Sequence, residues 1–282
     1  MKSFDTDHLF RRLEATLEEI RRNSLEIINL NNRQMRAEGA EAIAEALKVN
    51  TSVVEIWLKN NQIEDRGVVA IARVLQTHPS VKKICLRKNE MGDKRAQAIA
   101  DMIRLNAGIR MLYLGDNEIG VQGIKAIAEA LKFNTSVRLI VLSRNQMDDM
   151  GGVSIADALR LNTSITKISL RGTRIGDKGA VAIASAVKYN PYILSISLDS
   201  MASESNITEL LERNQRIAER AKTATPKVTC LLLCASASRT RKQKTPIQGI
   251  PTMVWRHKVI VCLYSTEGSK ARITGDRVAY YL

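Results

Sequence analysis

The chain has 282 residues, a formal net charge of +14, and a content of 45% hydrophobic but only 4% aromatic residues. Its core must therefore be filled mainly by Leu, Ile, Val and Ala in many similar layers, which is typical of repeat proteins. The amino terminus carries several acidic residues and does not read as a secretory signal. No window reaches the roughly 20 apolar residues of a membrane-spanning helix, so we expect a cytoplasmic protein without a membrane span.

Catalytic and metal-binding patterns are missing from the sequence. The four Cys and three His have no zinc spacing and suggest no disulfide framework, so we expect reduced thiols. No phosphate loop, nucleophile elbow, paired-carboxylate pocket or HExxH motif occurs. These observations predict a monomeric protein that is not an enzyme and that has no cofactor and no metal.

An amino-terminal capping helix is predicted within residues 1–23. Phe10, Leu13, Leu17 and Ile20 recur on one helical face, which is enough to cover the edge of a repeat array. The array itself begins directly after this segment.

The sequence repeats itself with a period of 28 residues from Ser24 onward. Apolar residues at the second, fifth and seventh positions of each unit, such as Ile109, Leu112 and Leu114, predict a short strand. Later in the unit, the spacing of Ile127, Ala128 and Leu131 predicts one helical stripe. We expect six repeats over residues 24–191 and a degenerate seventh, with a carboxy-terminal capping helix, over residues 192–225.

An amide recurs where the chain leaves each of the central strands. The tenth position of the unit holds Asn61, Asn89, Asn117 and Asn145. Stacked amide side chains at such a turn can bond the backbone of the adjacent unit, so we predict a structural Asn ladder.

The pattern LxxLxLxxN resembles the leucine-rich repeat, and the 28-residue unit with a full helix is similar to the ribonuclease-inhibitor-like subfamily. Similar arrays occur in NOD-like receptors, Ran GTPase-activating proteins and tropomodulins. The resemblance implies an α/β solenoid, or horseshoe, with parallel strands on the inner side and helices on the outer side. It covers residues 24–191 well and the degenerate unit loosely.

The repeat character stops after Thr225. Residues 226–282 hold ten Lys or Arg and only two acidic residues, and their short apolar runs are too few to build a second core. We interpret this segment as a basic, poorly ordered tail. It could be an appendage without a specific role, a segment that docks on nucleic acid or anionic lipid, or a small docking element.

The outward-facing side of the predicted sheet, which we call the strand face, is basic and partly aromatic. In repeats two to six it carries ten Lys or Arg against Glu55 and Asp116. We predict that it binds an acidic protein partner and that the protein is an interaction scaffold. The candidate binding residues are Trp57, Lys59, Lys83, Arg87, Arg110, Tyr113, Arg138, Lys167 and Arg171.

Three other interpretations of this surface remain open. The basic face could be solvated without any ligand. The resemblance to Ran GTPase-activating proteins would allow regulation of a small GTPase. The basic face and tail together could bind nucleic acid, although no known nucleic-acid module is present.

Overall fold

The computed structural model describes residues 13–199 and 204–223. The chain divides into two units after Ala224, and the first unit contains every described residue. The predicted basic tail, residues 226–282, and Phe10 of the predicted capping helix lie outside the described residues.

Strands and helices alternate along the first unit. The described part of helix α1 covers residues 13–21. The strands are β1 (Ile27–Asn29), β2 (Glu55–Trp57), β3 (Lys83–Cys85), β4 (Met111–Tyr113), β5 (Leu139–Val141), β6 (Lys167–Ser169) and β7 (Ser195–Ser197). The helices that follow them are α2 (Arg36–Leu47), α3 (Asp65–Leu75), α4 (Asp93–Leu105), α5 (Val121–Phe133), α6 (Asp149–Leu161), α7 (Asp177–Tyr189) and α8 (Glu204–Thr223).

The seven strands form one parallel sheet in sequence order. Each pair is in register at a step of 28 residues, so that Ile28 faces Ile56 and Leu112 faces Ile140. A parallel connection needs a crossover, and the helix of each unit supplies it. The predicted α/β repeat solenoid is confirmed.

The core lies between the sheet and the helices. The central residue of strands β1 to β6 is buried, and the helical stripe meets it from the other side, with Ile127 and Ala128 both at 0% exposure. Helix α5 packs against α4 so closely that a Cβ at Gly123 would lie 2.7 Å from the Cβ of Ala96. The same closeness is found between α3 and α2, where a Cβ at Gly67 would lie 2.8 Å from the Cβ of Ala40.

A carboxylate of one helix caps the next helix along the array. Asp93 Oδ1 accepts the backbone N–H of Gly120 at 2.7 Å and that of Gly123 at 2.9 Å. Asp149 makes the same contacts to Gly176 and Gly179, both at 2.8 Å. Because the first N–H groups of a helix have no partner within the helix, these carboxylates tie neighbouring units together.

The turn after each of the first six strands passes through the left-handed region at one repeat position. The residues there are Asn32, Asn60, Lys88, Asp116, Arg144 and Gly172, with φ between 54° and 74°. Asn and Gly tolerate this conformation, whereas the two long basic side chains are held in it against their preference.

Helices cover both ends of the array. Leu17 and Ile20 of α1 are buried, and Leu13 packs against the core. At the other end, Ile207 of α8 is buried, and Asn214 donates to the carbonyls of Asn190 and Ile193, both at 2.9 Å. Asn214 thereby bonds two carbonyl groups of the turn between α7 and β7.

Candidate functional site

The strand face is made by the residues that flank each buried strand centre. In every strand the first and third residues point away from the core because side chains alternate along a strand. The exact register therefore aligns the third residues into one row across the sheet, which includes Trp57, Cys85, Tyr113 and Val141.

Two aromatic rings of this row meet over β3. The centroids of Trp57 and Tyr113 are 6.0 Å apart, with 28° between the ring planes. Their strands are separated by β3, and the residue of β3 between them is Cys85, which is only 2% exposed. Burial raises the pKa of the Cys85 thiol. The two rings thus form one stacked platform beside a buried cysteine.

Trp57 is held in place by a charged pair. Its Nε1 donates to Glu55 Oε2 at 3.0 Å, and Lys83 Nζ donates to Glu55 Oε1 at 2.9 Å. The same ammonium lies 5.0 Å from the Trp57 ring centroid, within cation–π range. The hydrogen bond from Lys83 is the main reason that the pKa of Glu55 is lowered. Lys83 is therefore a support of the platform rather than an unpaired cation.

A second charged cluster surrounds Asp116. Arg87 bonds Oδ2 of this carboxylate, and Arg144 Nη1 donates to Oδ1 at 3.1 Å. The Asp116 side chain is only 10% exposed. Burial favours its neutral form, but the hydrogen bonds and charges of Arg87 and Arg144 outweigh it and lower the pKa of Asp116.

The other predicted basic residues differ in how far they are already paired. Arg171 approaches Asp199 at 3.6 Å but is 73% exposed, and Arg138 Nη1 donates to the Ser164 carbonyl at 3.2 Å. Within residues 13–199 and 204–223, Lys59, Arg110 and Arg138 have no carboxylate partner, and neither does Lys167. These four side chains supply most of the available positive charge on the strand face.

The amides at the strand-to-helix turn bond across adjacent units. Asn89 Nδ2 donates to the Leu58 carbonyl at 2.9 Å, and Asn89 Oδ1 accepts the N–H of Asn61 at 2.9 Å. Asn61, Asn117 and Asn145 donate to the corresponding carbonyls of Leu30, Leu86 and Leu114 at 2.8, 3.1 and 3.0 Å. The amides hold the turns that border the strand face at a fixed spacing.

A second amide series lies at the helix-to-strand turns, where Asn50, Asn134 and Asn162 recur in the sequence as part of an NTS motif. Asn50, Asn106, Asn134, Asn162 and Asn190 are buried, and each donates to a carbonyl of the preceding unit at 2.5 to 2.7 Å. The 28-residue recurrence of Asn was the available signal. His78 takes the place of an Asn in this series; its Nε2 makes no hydrogen bond of ordinary geometry, but the backbone of Leu47 and of Asn50 lies close enough to the ring to oppose the effect of burial on its pKa. Burial is the main cause of its lowered pKa.

The described residues offer few other sites. No three His, Cys, Asp or Glu side chains within residues 13–199 and 204–223 are grouped so that they could hold a metal ion. In that same portion of the chain, no helix combines the length and the apolar character needed to cross a bilayer.

Comparison with known proteins identifies the repeats. Residues 49–72, 109–128 and 161–184 match a family model described as a leucine-rich repeat. No curated protein matches the chain significantly. One similar solved structure is the actin-binding site 2 of leiomodin-1, at 21% identity and a TM-score of 0.35 over 74% of this chain and 95% of that one.

Two further structures share this likeness. The tropomodulin carboxy-terminal domain of Caenorhabditis elegans is 14% identical, with a TM-score of 0.42 over 75% of this chain and 99% of that one. A leucine-rich repeat-containing protein of Legionella pneumophila is 12% identical, with a TM-score of 0.34 over 68% of this chain and 82% of that one. The matched segments are leucine-rich repeats, and the strand register extends the same 28-residue unit across all seven strands; the full helix in every complete unit makes the array similar to the ribonuclease-inhibitor-like kind.

Proposed function

We propose that the protein is an interaction scaffold that binds an acidic protein partner on its strand face. The single observation that carries the proposal is the stacked pair of Trp57 and Tyr113, which lies on the same face as the four cations without a carboxylate partner among the described residues. Repeat solenoids commonly use an extended sheet surface of this kind for binding.

The aromatic platform has the properties of a binding anchor. Both rings are partly exposed, and Trp57 is restrained by the Glu55 hydrogen bond and by Lys83. A ring that is already fixed loses little conformational entropy when a partner covers it. Large aromatic side chains in such a position account for much of the binding energy in known interfaces.

The unpaired cations give the face its preference for negative charge. Arg110 and Arg138 occupy the same position in adjacent repeats and are exposed, and Lys167 is exposed on β6. Such charges raise the rate of encounter with an acidic surface more than they raise affinity. Lys83 and Arg87 contribute less attraction because their charges are already balanced by Glu55 and Asp116.

The test is a capture experiment with the immobilised full chain, followed by affinity measurement with each purified captured protein. Trp57→Ala should weaken binding at least tenfold, which is about 1.4 kcal/mol. The double change Arg110→Glu, Arg138→Glu should slow association and reverse its salt dependence. Val181→Ala is the matched control, because Val181 is 62% exposed on helix α7.

The proposal requires a partner whose affinity is lower for the Trp57→Ala variant and unchanged for the Val181→Ala variant. If every captured protein binds the Trp57→Ala and Val181→Ala variants equally well, the strand face is not the binding surface. If the charge-reversed variant associates as fast as the unaltered chain, the partner is not acidic.

A further inference from the structure

One edge of the repeat array is free of acidic residues. Because the strands are parallel and in register, the turns that lead from each helix to the next strand lie side by side along this edge. We call it the helix-to-strand rim. It contains eight Lys or Arg and no Asp or Glu. Its segments are residues 48–54, 76–82, 104–110, 132–138, 160–166 and 188–194.

The opposite edge has a different composition. The turns that lead from strand to helix contain ten acidic and eight basic residues over six segments of the same length. These segments are residues 32–38, 60–66, 88–94, 116–122, 144–150 and 172–178. The positive charge of the helix-to-strand rim is therefore a property of one side of the array and not of repeat turns in general.

Large apolar side chains protrude from the same rim. The last residues of α4 to α7 are Leu105, Phe133, Leu161 and Tyr189, each 28 residues after the one before. Their exposed fractions are 61%, 77%, 46% and 56%. Packed helices lie about 8–10 Å apart, so these four tips form a row roughly 25–30 Å long. We call this row the apolar ridge.

Helix chemistry explains only part of this arrangement. Basic residues suit the negative end of a helix, and four of the eight pair with an acidic residue one turn earlier, namely Lys48, Arg104, Lys132 and Arg160. That does not account for the apolar ridge, since nothing in the repeat requires an exposed Phe133 at a helix end. It also does not account for the basic residues beyond the turn, such as Lys82.

We propose that the helix-to-strand rim rests on an anionic lipid bilayer. The tips of the apolar ridge enter the boundary between headgroups and acyl chains, and the Lys and Arg side chains beside them contact the negative headgroups. A bilayer fits better than a protein because the tips stand a helix spacing apart and protrude. It fits better than nucleic acid because Leu105 and Leu161 can neither stack on a base nor contact a phosphate.

The test is sedimentation of the full chain with vesicles of phosphatidylcholine alone and with vesicles that contain 30% phosphatidylserine. The chain should bind the anionic vesicles, and rising salt should release it. The double change Phe133→Ser, Leu161→Ser should lower partitioning at least tenfold. The matched control is Met150→Ser, Val181→Ser, which removes two side chains that are 65% and 62% exposed elsewhere on the helices.

Each outcome of the vesicle experiment either supports or overturns the bilayer proposal. Equal binding of the ridge variant and the control variant overturns the proposal, including the case in which the basic segment 226–282 alone holds the chain on the vesicles. Binding that is as strong to phosphatidylcholine alone also overturns it. Thermal unfolding of both variants shows whether each is folded. Phe133 and Leu161 are not candidate residues of the strand face, so this test and the partner test can fail independently.

Discussion

Removal of one amide from the buried ladder should cost far more stability than removal of an exposed amide. Asn117 is 6% exposed, and its Oδ1 accepts the N–H groups of Asn89 at 2.9 Å and Met91 at 3.2 Å. Its Nδ2 donates to the carbonyls of Leu86 at 3.1 Å and Leu114 at 2.9 Å. Of these four groups, the Leu114 carbonyl keeps a second donor, Asn145 Nδ2 at 3.0 Å.

Asn117→Ala would therefore leave three buried backbone groups without a partner. Each unpaired group costs about 1 kcal/mol or more, so the free energy of unfolding should fall by about 3–5 kcal/mol. That is a large share of the stability of an ordinary domain. Equilibrium unfolding in urea, followed by circular dichroism, measures the loss.

The control is Gln122→Ala, since Gln122 is an exposed amide in the first turn of α5. This change should alter the free energy of unfolding by less than about 0.5 kcal/mol. If Asn117→Ala costs no more than Gln122→Ala, water replaces the ladder contacts and the reasoning is refuted.

Two further changes test local conformation and titration. Lys88→Asn should stabilise the protein by about 0.5–1 kcal/mol in urea unfolding, because Lys88 has a φ of 54° and Asn tolerates this conformation better; a loss of stability would contradict this. His78 has a pKa lowered by burial, so the folded protein binds fewer protons than the unfolded chain, and stability should fall as the pH drops below about 6.5. His78→Asn should remove that part of the pH dependence between pH 7.5 and 5.5, and an unchanged pH profile would show that this histidine does not titrate on unfolding.

The sequence was sufficient to predict the repeat unit, because the same residue types recur at the same positions of each 28-residue unit. Strand positions such as Leu112 and helix positions such as Ile127 are repeated in every unit, so each prediction was made several times over. The turn amides were predictable for the same reason. The bounds of the capping segments and the role of the tail remain predictions.

Which cations are paired with a carboxylate could not be predicted from the sequence, since the pairing depends on contacts between side chains of different repeats. Asp116 lies 29 residues after Arg87 and 28 before Arg144, and only the fold shows that both guanidinium groups contact its carboxylate. A count of charges therefore overstated how many cations are available. The contact between Trp57 and Tyr113 could not be predicted either, because the two residues lie on strands that are not adjacent in the sheet.

In the sequence, the apolar ridge shows only as a recurrence of apolar residues. Phe133 and Leu161 recur at the array period, directly after the buried helical stripe. Without coordinates, such positions read as the last core residues of their helices. Their exposure becomes evident only when the end of each helix is known.

The regular pattern of the array is interrupted near α3. Helix α3 has 11 residues where α4 to α7 have 13, and Arg95 in α4 takes the place of the recurrent glycine and pairs with Asp65 instead. On the other side of α3, His78 interrupts the buried amide series. In a linear array each unit is held only by its neighbours, so the boundary at which an imidazole replaces a buried amide is where heat or force should first separate the amino-terminal units from the rest.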